Sequence, residues 1–329
     1  MYKVETQICD MLDENTYVTK LDNGLNVYIC KKKGFKKKIG MFGTKYGSVT
    51  NDFVDIKTNT RIKVPDGIAH FLEHKLFEKE EQNALDMFSN IGVSSNAYTS
   101  FDQTVYYFET SNKFKESIEL LVKLIKEPYF TDENVAKEQG IIGQEIMMYD
   151  DDPSSVVYMN ALKAMYQKNN VRTDIAGTID SISHITKELL YTCYNTFYNP
   201  SNMFFIVVGD VDVDDTIKLI DKNIKKYETK NKPHLEEIKK FYEEEDKNIC
   251  KKEIVEKMDI FMPLICIGYK LDIVKKEEIV KRALVADIVS DMYFSKITEF
   301  FKDEYDKGVL SDSLSFMYEG TDTFSHVII

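Results

Sequence analysis

Residues 70–78 read HFLEHKLFE. Because an α-helix repeats every 3.6 residues, side chains four positions apart project from the same face. On such a helix His70 and His74 present two imidazole rings to one point, and Glu73 lies directly beside them. Neutral imidazole nitrogens are among the ligands that zinc prefers. The stretch therefore predicts a helix that carries two metal ligands and an adjacent carboxylate.

The order of these residues, H-x-x-E-H, is the inverzincin pattern, the reverse of HExxH. Zinc lowers the pKa of a bound water toward ~7 and polarises the carbonyl to be cleaved. A carboxylate must then take the proton of the water and pass it to the leaving amine, and Glu73 is placed to be this general base. Since the chain has only five histidines, chance matches number on the order of 0.01. The alternative is a solvated surface helix.

A catalytic zinc usually has three protein ligands, so a third group must come from elsewhere in the chain. The segment KEQGIIGQEIMMYDDDP, residues 137–153, contains Glu138 and Glu145, which lie seven residues apart. Two helical turns separate them, so both carboxylates share one helix face. One can bind the metal while the other accepts a hydrogen bond from a histidine. The rival carboxylates are the aspartates at 150–152, for which a solvated cluster at the helix end is the alternative.

The segments around the motif predict the fold. They alternate between strand patterns rich in β-branched and aromatic residues and helical patterns with a periodic apolar stripe. In order they are strands at 24–30 and 38–47, the motif helix with Asp66 as its N-cap, a helix at 82–92 ended by Gly92, paired strands at 93–100 and 103–110, a helix at 113–128, a helix capped by Thr131, and a buried strand at 202–211. This order predicts an α+β fold, a mainly antiparallel sheet with helices packed on one face.

The later sequence predicts a second domain of the same fold. A Lys- and Glu-rich stretch, with a short charged helix at 235–245, precedes a strand at 259–271 and a long helical stretch at 276–304. We therefore expect a catalytic domain at 1–225, a charged linker at 226–250 and a partial second, non-catalytic domain at 251–329. The final FSHVII resembles a strand with nothing to pair it, so the second sheet is expected to be incomplete, with Val327, Ile328 and Ile329 exposed.

Composition excludes several classes of protein. The net charge of −12 repels phosphate backbones, so no nucleic-acid partner is expected. The five cysteines are scattered without a CxxC pair, which argues against disulfides and cysteine-bound metal. The apolar runs are too short to span a membrane, and the N-terminus has no apolar signal segment. The sequence thus predicts a cytoplasmic protein without a membrane partner. The remaining histidines, at 184, 234 and 326, have ordinary polar or strand contexts.

With these motifs in place, the chain resembles the pitrilysin/insulinase family of zinc metallopeptidases, which includes the mitochondrial processing peptidases. The resemblance rests on LDNGLNVYI, GIAHFLEHKLF, SNAYTSFDQTVYYFE, EQGIIGQE and FYNPSNMFFIVVGD, although Gln139 replaces the usual basic residue. It implies one zinc ion per chain held by His70, His74 and Glu145, with Glu73 as general base and Glu138 as the supporting acid. The likeness is nearest to the short bacterial branch of half-size subunits.

The resemblance also implies a peptide-binding strand. In the family the segment matching VSSNAYTS is an edge strand that pairs with the substrate backbone, which gives Asn96 and Ala97 that role. A small, polar strand can accept an extended peptide by β-addition. The alternative is an ordinary exposed strand without a ligand.

Together these features predict a zinc endopeptidase acting on peptides or unfolded segments, working with a second half-size subunit of the same fold. Family members usually complete the site with an Arg and a Tyr from the later domain, but Arg282 is the only arginine after residue 250. One alternative is therefore a catalytically weak or inactive peptide-binding or assembly subunit. A metal hydrolase that does not cleave peptides is a third class, which the peptide-binding strand argues against.

Overall fold

The computed structural model describes residues 2–12, 14–227, 237–310 and 314–329. The strands of this part of the chain are β1 (Val4–Cys9), β2 (Glu14–Lys20), β3 (Asn26–Lys31), β4 (Lys38–Thr44), β5 (Asp52–Asp55), β6 (Thr60–Lys63), β7 (Ser94–Thr99), β8 (Thr104–Thr110), β9 (Met203–Gly209), β10 (Gly268–Lys270), β11 (Met317–Gly320) and β12 (Ser325–Ile328).

The helices alternate with these strands. They are α1 (Ile68–Phe77), α2 (Ala84–Asn90), α3 (Phe114–Lys126), α4 (Asp132–Asp151), α5 (Pro153–Met165), α6 (Ile179–Ser183), α7 (Lys187–Phe197), α8 (Val213–Lys225), α9 (Ile279–Phe294) and α10 (Glu299–Asp306). Short 3-10 turns lie at Asp10–Leu12, Asn170–Arg172, Pro200–Asn202 and Lys276–Glu278.

The largest sheet has seven strands in the order β1-β2-β3-β9-β4-β8-β7. Every neighbouring pair is antiparallel except β3 and β9, which run parallel with Val27 opposite Phe205. Along β9 alternate residues are buried, as expected when one face of a sheet packs on a core. The α+β class predicted from the sequence is confirmed.

Helices cover this sheet because each has an apolar stripe of helical period. Helix α3 packs on β4 and β8 and buries Ile118, Leu121, Val122 and Ile125. Each large aliphatic side chain that is fully buried stabilises the fold by about 1.5–3 kcal/mol. Helix α8 packs on β3 and on α3 in the same way.

Of the residues predicted to begin or end helices, Gly92 and Thr131 are confirmed and Asp66 is not. Gly92 ends the segment after α2 with a φ of 71°, and Thr131 accepts the Asn134 N–H at 3.2 Å at the start of α4. The predicted Asp66 cap of α1 is wrong. The residue before the helix is Gly67, with a φ of 88° and no side-chain cap, because the Asp66 carboxylate accepts from the Asn51 amide instead.

The chain divides into two compact units, Met1–Gln144 with Ile175–Phe241, and Glu145–Asp174 with Tyr242–Ile329. The division falls inside α4, whose helix is continuous across it. These units differ from the contiguous segments 1–225, 226–250 and 251–329 expected above. The reason is that α5 packs with the C-terminal segment, where the Ala164 carbonyl accepts from the N–H groups of Cys250 and Lys251.

The second unit contains an antiparallel sheet of order β10-β12-β11. The terminal strand was therefore wrongly expected to be unpaired and exposed. β12 lies in the centre of this sheet, Ile328 is 5% exposed, and Ile329 exchanges backbone hydrogen bonds with Ile267. Its partners β10 and β11 could not be read from FSHVII alone.

Two other expectations for the later sequence need correction. The strand expected at 259–271 is reduced to β10, and the helical stretch at 276–304 is divided between α9 and α10. The charged helix expected at 235–245 does not form over 237–245, and its first two residues lie outside the described part of the chain. There the backbone pairs instead with β5, since Phe241 N–H donates to the Asp52 carbonyl at 2.8 Å. None of the described helices is both long and apolar enough to cross a membrane.

Candidate metal centre

Helix α1 brings the two histidines of the motif together. Their rings lie with centroids 4.5 Å apart at an angle of 61°. The opposite side of the helix is fixed in the core, because Phe71, Leu72 and Leu76 are completely buried. Packing of the apolar stripe therefore determines which way both imidazoles face.

Helix α4 supplies a carboxylate to the same place. His70, His74 and Glu145 each offer one ligand atom, and these atoms lie within 4.8 Å of one another. Two imidazoles and one carboxylate are a donor set typical of catalytic zinc, which leaves a position for water. No other such group of metal-binding side chains occurs in the described residues. The arrangement thus fits a zinc ion.

Glu138 lies two turns before Glu145 and contacts a histidine rather than completing this group. Its Oε1 lies 3.1 Å from His74 Nδ1. Since a carboxylate accepts, Nδ1 carries the proton and Nε2 is the nitrogen left for a metal. Burial raises the pKa of the Glu138 carboxyl, but the hydrogen bond from His74 and the nearby Lys75 ammonium lower it by more, so its pKa lies below the ordinary value.

Two hydroxyl groups orient the remaining carboxylates. Thr99 on β7 donates to Glu73 Oε2 at 2.6 Å, and Glu73 is only 7% exposed. Tyr149, one turn after Glu145, donates to its Oε1 at 2.7 Å. Each hydrogen bond to a carboxylate restricts its rotation.

Strand β7 is an edge strand of the seven-stranded sheet, and it carries Asn96 and Ala97. These residues pair with Tyr107 and Tyr106 on β8, and no strand among the described residues pairs with the outer edge of β7. Asn96 lines a cleft of about 500 Å³ together with Glu73, His74, Phe77, Glu138 and Ile141. An open strand edge and a cleft therefore meet beside the motif.

Known proteins are similar to this chain in sequence and in fold. Residues 56–179 match the insulinase (peptidase family M16) model, and residues 184–305 match the model described as the peptidase M16 inactive domain. The zinc protease YmfH of Bacillus subtilis is 43% identical over 309 residues, which cover 93% of this chain and 72% of that protein. The chain belongs to the M16 peptidase family. The predicted resemblance is confirmed.

Other similar proteins agree with this result. The crystal structure of an M16-like peptidase from Alicyclobacillus acidocaldarius has a TM-score of 0.89 and 34% identity, and the match covers 99% of this chain and 74% of that one. A zinc protease of Rickettsia felis is 28% identical over 211 residues, so the chain spans 49% of its length. The beta subunit of the mitochondrial-processing peptidase of Caenorhabditis elegans is 28% identical over 215 residues, 63% of this chain and 44% of that protein.

The rival groups of this M16 chain have other positions. Asp152 caps α5 by accepting the Ser155 N–H at 2.8 Å, and no aspartate of 150–152 belongs to the metal-binding group. His184 is exposed, His326 is fully buried in β12, and His234 lies outside the described residues. Arg282 is on α9, where it donates to the Asp272 carbonyl.

Three residues that contact the site were not singled out from the sequence: Lys75, Thr99 and Tyr149. A signal for Lys75 was available, because it lies three residues after Leu72 and seven after Ile68, within the apolar stripe of α1. A lysine at a core-facing position indicates a buried partner of opposite charge. Thr99 gave no such signal, since its contact with Glu73 depends on how β7 packs against α1.

Proposed function

We propose that this protein is a zinc-dependent metallopeptidase that hydrolyses peptides or unfolded segments. One zinc ion per chain is held by His70, His74 and Glu145, and Glu73 is the general base. The observation that carries the proposal is the meeting of two imidazoles and a carboxylate within 4.8 Å, with Glu73 one residue before the second imidazole. Membership of a family whose relatives are named zinc proteases supports it.

The zinc ion, when bound, polarises the scissile carbonyl and lowers the pKa of the attacking water. Glu73 takes the proton of that water and passes it to the leaving amine nitrogen. The Thr99 hydroxyl holds one oxygen of Glu73 in place for this transfer. Glu138 keeps the proton of His74 on Nδ1, so that Nε2 faces the metal.

The substrate binds in an extended conformation along β7. Its backbone pairs with the outer edge at Asn96 and Ala97, which places one peptide bond in front of α1. Such β-addition uses main-chain hydrogen bonds for affinity and leaves selectivity to the side-chain pockets. The adjacent cleft of about 500 Å³ is large enough for a side chain.

The working form includes a second half-size chain of this fold, either a second copy or a related protein. This chain spans 35% of the pitrilysin chain and 67% of the first half of the periplasmic protease PqqL from Escherichia coli, as seen in its crystal structure. Both likenesses are at or below 20% identity and show the fold alone, which is compatible with two such halves in one enzyme. We place this chain in the cytoplasm because its five cysteines are scattered without a CxxC pair and are free thiols, as is usual in a reducing compartment.

A second candidate is a weakly active or inactive peptide-binding subunit. It is favoured by the contact of Arg282, whose guanidinium donates to the carbonyl of Asp272 and is thereby engaged within the second unit. Loss of one group that stabilises the oxyanion lowers rates by ~10²–10³. The retained H-x-x-E-H residues favour the enzyme.

The test compares the unmodified protein with Glu73→Gln in metal content and in cleavage of a fluorogenic peptide library. We expect about one zinc per chain in both, with hydrolysis only in the unmodified protein. Absence of zinc after purification with excess metal would refute the site. Zinc without cleavage, also when the chain is supplied with a related half-size chain, would favour the inactive subunit.

A further inference from the structure

Lys75 is a charged residue with no exposure to solvent. It follows His74 in α1, and its side chain is 0% exposed. Removing an ammonium from water is costly unless oppositely charged or polar partners replace the water. An apolar residue would pack in the core at this position of the apolar stripe of α1. The presence of a lysine therefore needs a physical explanation.

Three acceptors surround the Lys75 ammonium, which has three N–H donors. It bonds the Glu78 carboxylate and donates to the Asn134 carbonyl at 3.1 Å. Its third contact is Glu138 Oε2 at 3.6 Å, an ion-pair distance. Asn134 and Glu138 are one turn apart on α4, so the lysine of α1 reaches the backbone and a side chain of α4 at once.

The two oxygens of Glu138 have different partners. Oε1 contacts His74 Nδ1 at 3.1 Å, and Oε2 faces Lys75. A carboxylate held at both oxygens cannot rotate away from the histidine. The hydrogen bond at Nδ1 then fixes the orientation of the His74 ring, and Nε2 is the nitrogen that would bind a metal.

We propose that Lys75 is a positioning residue of the metal centre, acting through Glu138 on His74. This inference rests on the metal site proposed above. The alternative is that Lys75 only joins α1 to α4 and stabilises the fold without affecting the metal ligands. The two differ in what happens to zinc affinity when the lysine is replaced.

The test is Lys75→Met, which keeps a long side chain and removes the donors. Zinc affinity of the apoprotein is measured by competition with a chromogenic chelator, and the melting temperature is followed in parallel. We expect zinc affinity to fall about 10–100-fold, the usual effect of losing a partner that orients a ligand. A lowered melting temperature with unchanged zinc affinity would overturn the proposal.

A matched control is Lys79→Met. Lys79 is also largely buried, but it donates to the carbonyls of Leu124 and Glu127, each at 2.6 Å, at the end of α3. This variant is expected to lower the melting temperature and leave zinc affinity unchanged. Equal losses of zinc affinity in both variants would show a general effect of removing buried lysines and would overturn the proposal.

The route through Glu138 is tested by repeating Lys75→Met in a Glu138→Gln background. If the lysine acts through this carboxylate, its replacement there changes zinc affinity by less than about 2-fold. The same 10–100-fold loss in both backgrounds would contradict the route. Should Lys75→Met fail to fold, Lys75→Gln removes the charge that pairs with Glu138 Oε2, and full zinc affinity in that folded variant would equally overturn the proposal. An unmodified protein that binds no zinc would instead refute the site itself.

Discussion

Helices α3 and α9 are both rich in apolar residues and have opposite surroundings. In the first unit α3 buries six residues, among them Leu121 at 1% exposure. In the second unit α9 buries none, and Val280, Leu284, Ile288 and Met292, spaced four apart, are 59–69% exposed. Apolar residues thus predict that a helix has surface to cover, whereas the partner that covers it is a property of the tertiary structure.

The second unit nevertheless has internal order, and polar interactions contribute to it. Glu245 accepts the backbone N–H groups of Gln167, Lys168 and Asn169 and bonds the Lys270 ammonium at 2.7 Å. This carboxylate joins the loop after α5 to β10. In the first unit α3 is held by apolar burial, while this part of the second unit also depends on the hydrogen bonds of a carboxylate.

The largest effect is expected in α3. Leu121→Ala should lower the free energy of unfolding by about 2–5 kcal/mol, because it leaves a cavity beneath the sheet. Urea unfolding of the purified protein measures this. A decrease in the free energy of unfolding of less than about 1 kcal/mol would show that packing of α3 contributes little to stability.

A smaller effect is expected at Glu245. Burial works against ionisation, but the three N–H groups and the Lys270 ammonium lower the pKa of Glu245 to about 2. A lowered folded pKa stabilises the protein above the ordinary carboxyl pKa of 4.5, and this contribution is lost as the pH falls from there toward 2. Glu245→Gln should therefore cost about 1.5–3 kcal/mol at pH 7 and less at pH 3.5.

Urea unfolding at both pH values checks this second prediction, with the exposed neighbour Glu244→Gln as control. The control should differ from the unmodified protein by less than about 0.5 kcal/mol. An equal cost of Glu245→Gln at pH 7 and pH 3.5 would mean that the charge of Glu245 is not what matters.

The smallest effect is expected in α9. Leu284→Ser should change the free energy of unfolding by less than about 0.5 kcal/mol, because the side chain is already largely in water. It should also reduce binding of a hydrophobic dye, since the exposed apolar area becomes smaller. A loss above about 2 kcal/mol would show that this face is covered in solution, for instance by another chain, and would remove the contrast with α3.

The sequence predicted those parts of the molecule that depend on local pattern. The pairing of β7 with β8, the amphipathic α3 and the cap at Thr131 each follow from residues close together in the chain. The failures involve partners that are distant in sequence. Asp66 bonds Asn51 rather than its own helix.

The proposed site shows the same division. His70, Glu73 and His74 share one helix, so their arrangement follows from spacing alone. Glu138 and Glu145 could be placed on one face of α4, but which carboxylate reaches the His74 ring depends on how α4 packs against α1. The role of Lys75 was missed because its partners on α4 are 59 and 63 residues away.

The position of β9 has a consequence for the order of folding. It separates β3 from β4, so β1-β2-β3 and β4-β8-β7 remain two unconnected half-sheets until residues 203–209 are inserted between them. At ordinary synthesis rates, about 10–30 s pass between the emergence of β3 and that of β9. For most of that interval residues 68–77 have already been synthesised, but α1 has no completed sheet to pack on. Metal capture is therefore expected to follow, rather than guide, closure of the sheet.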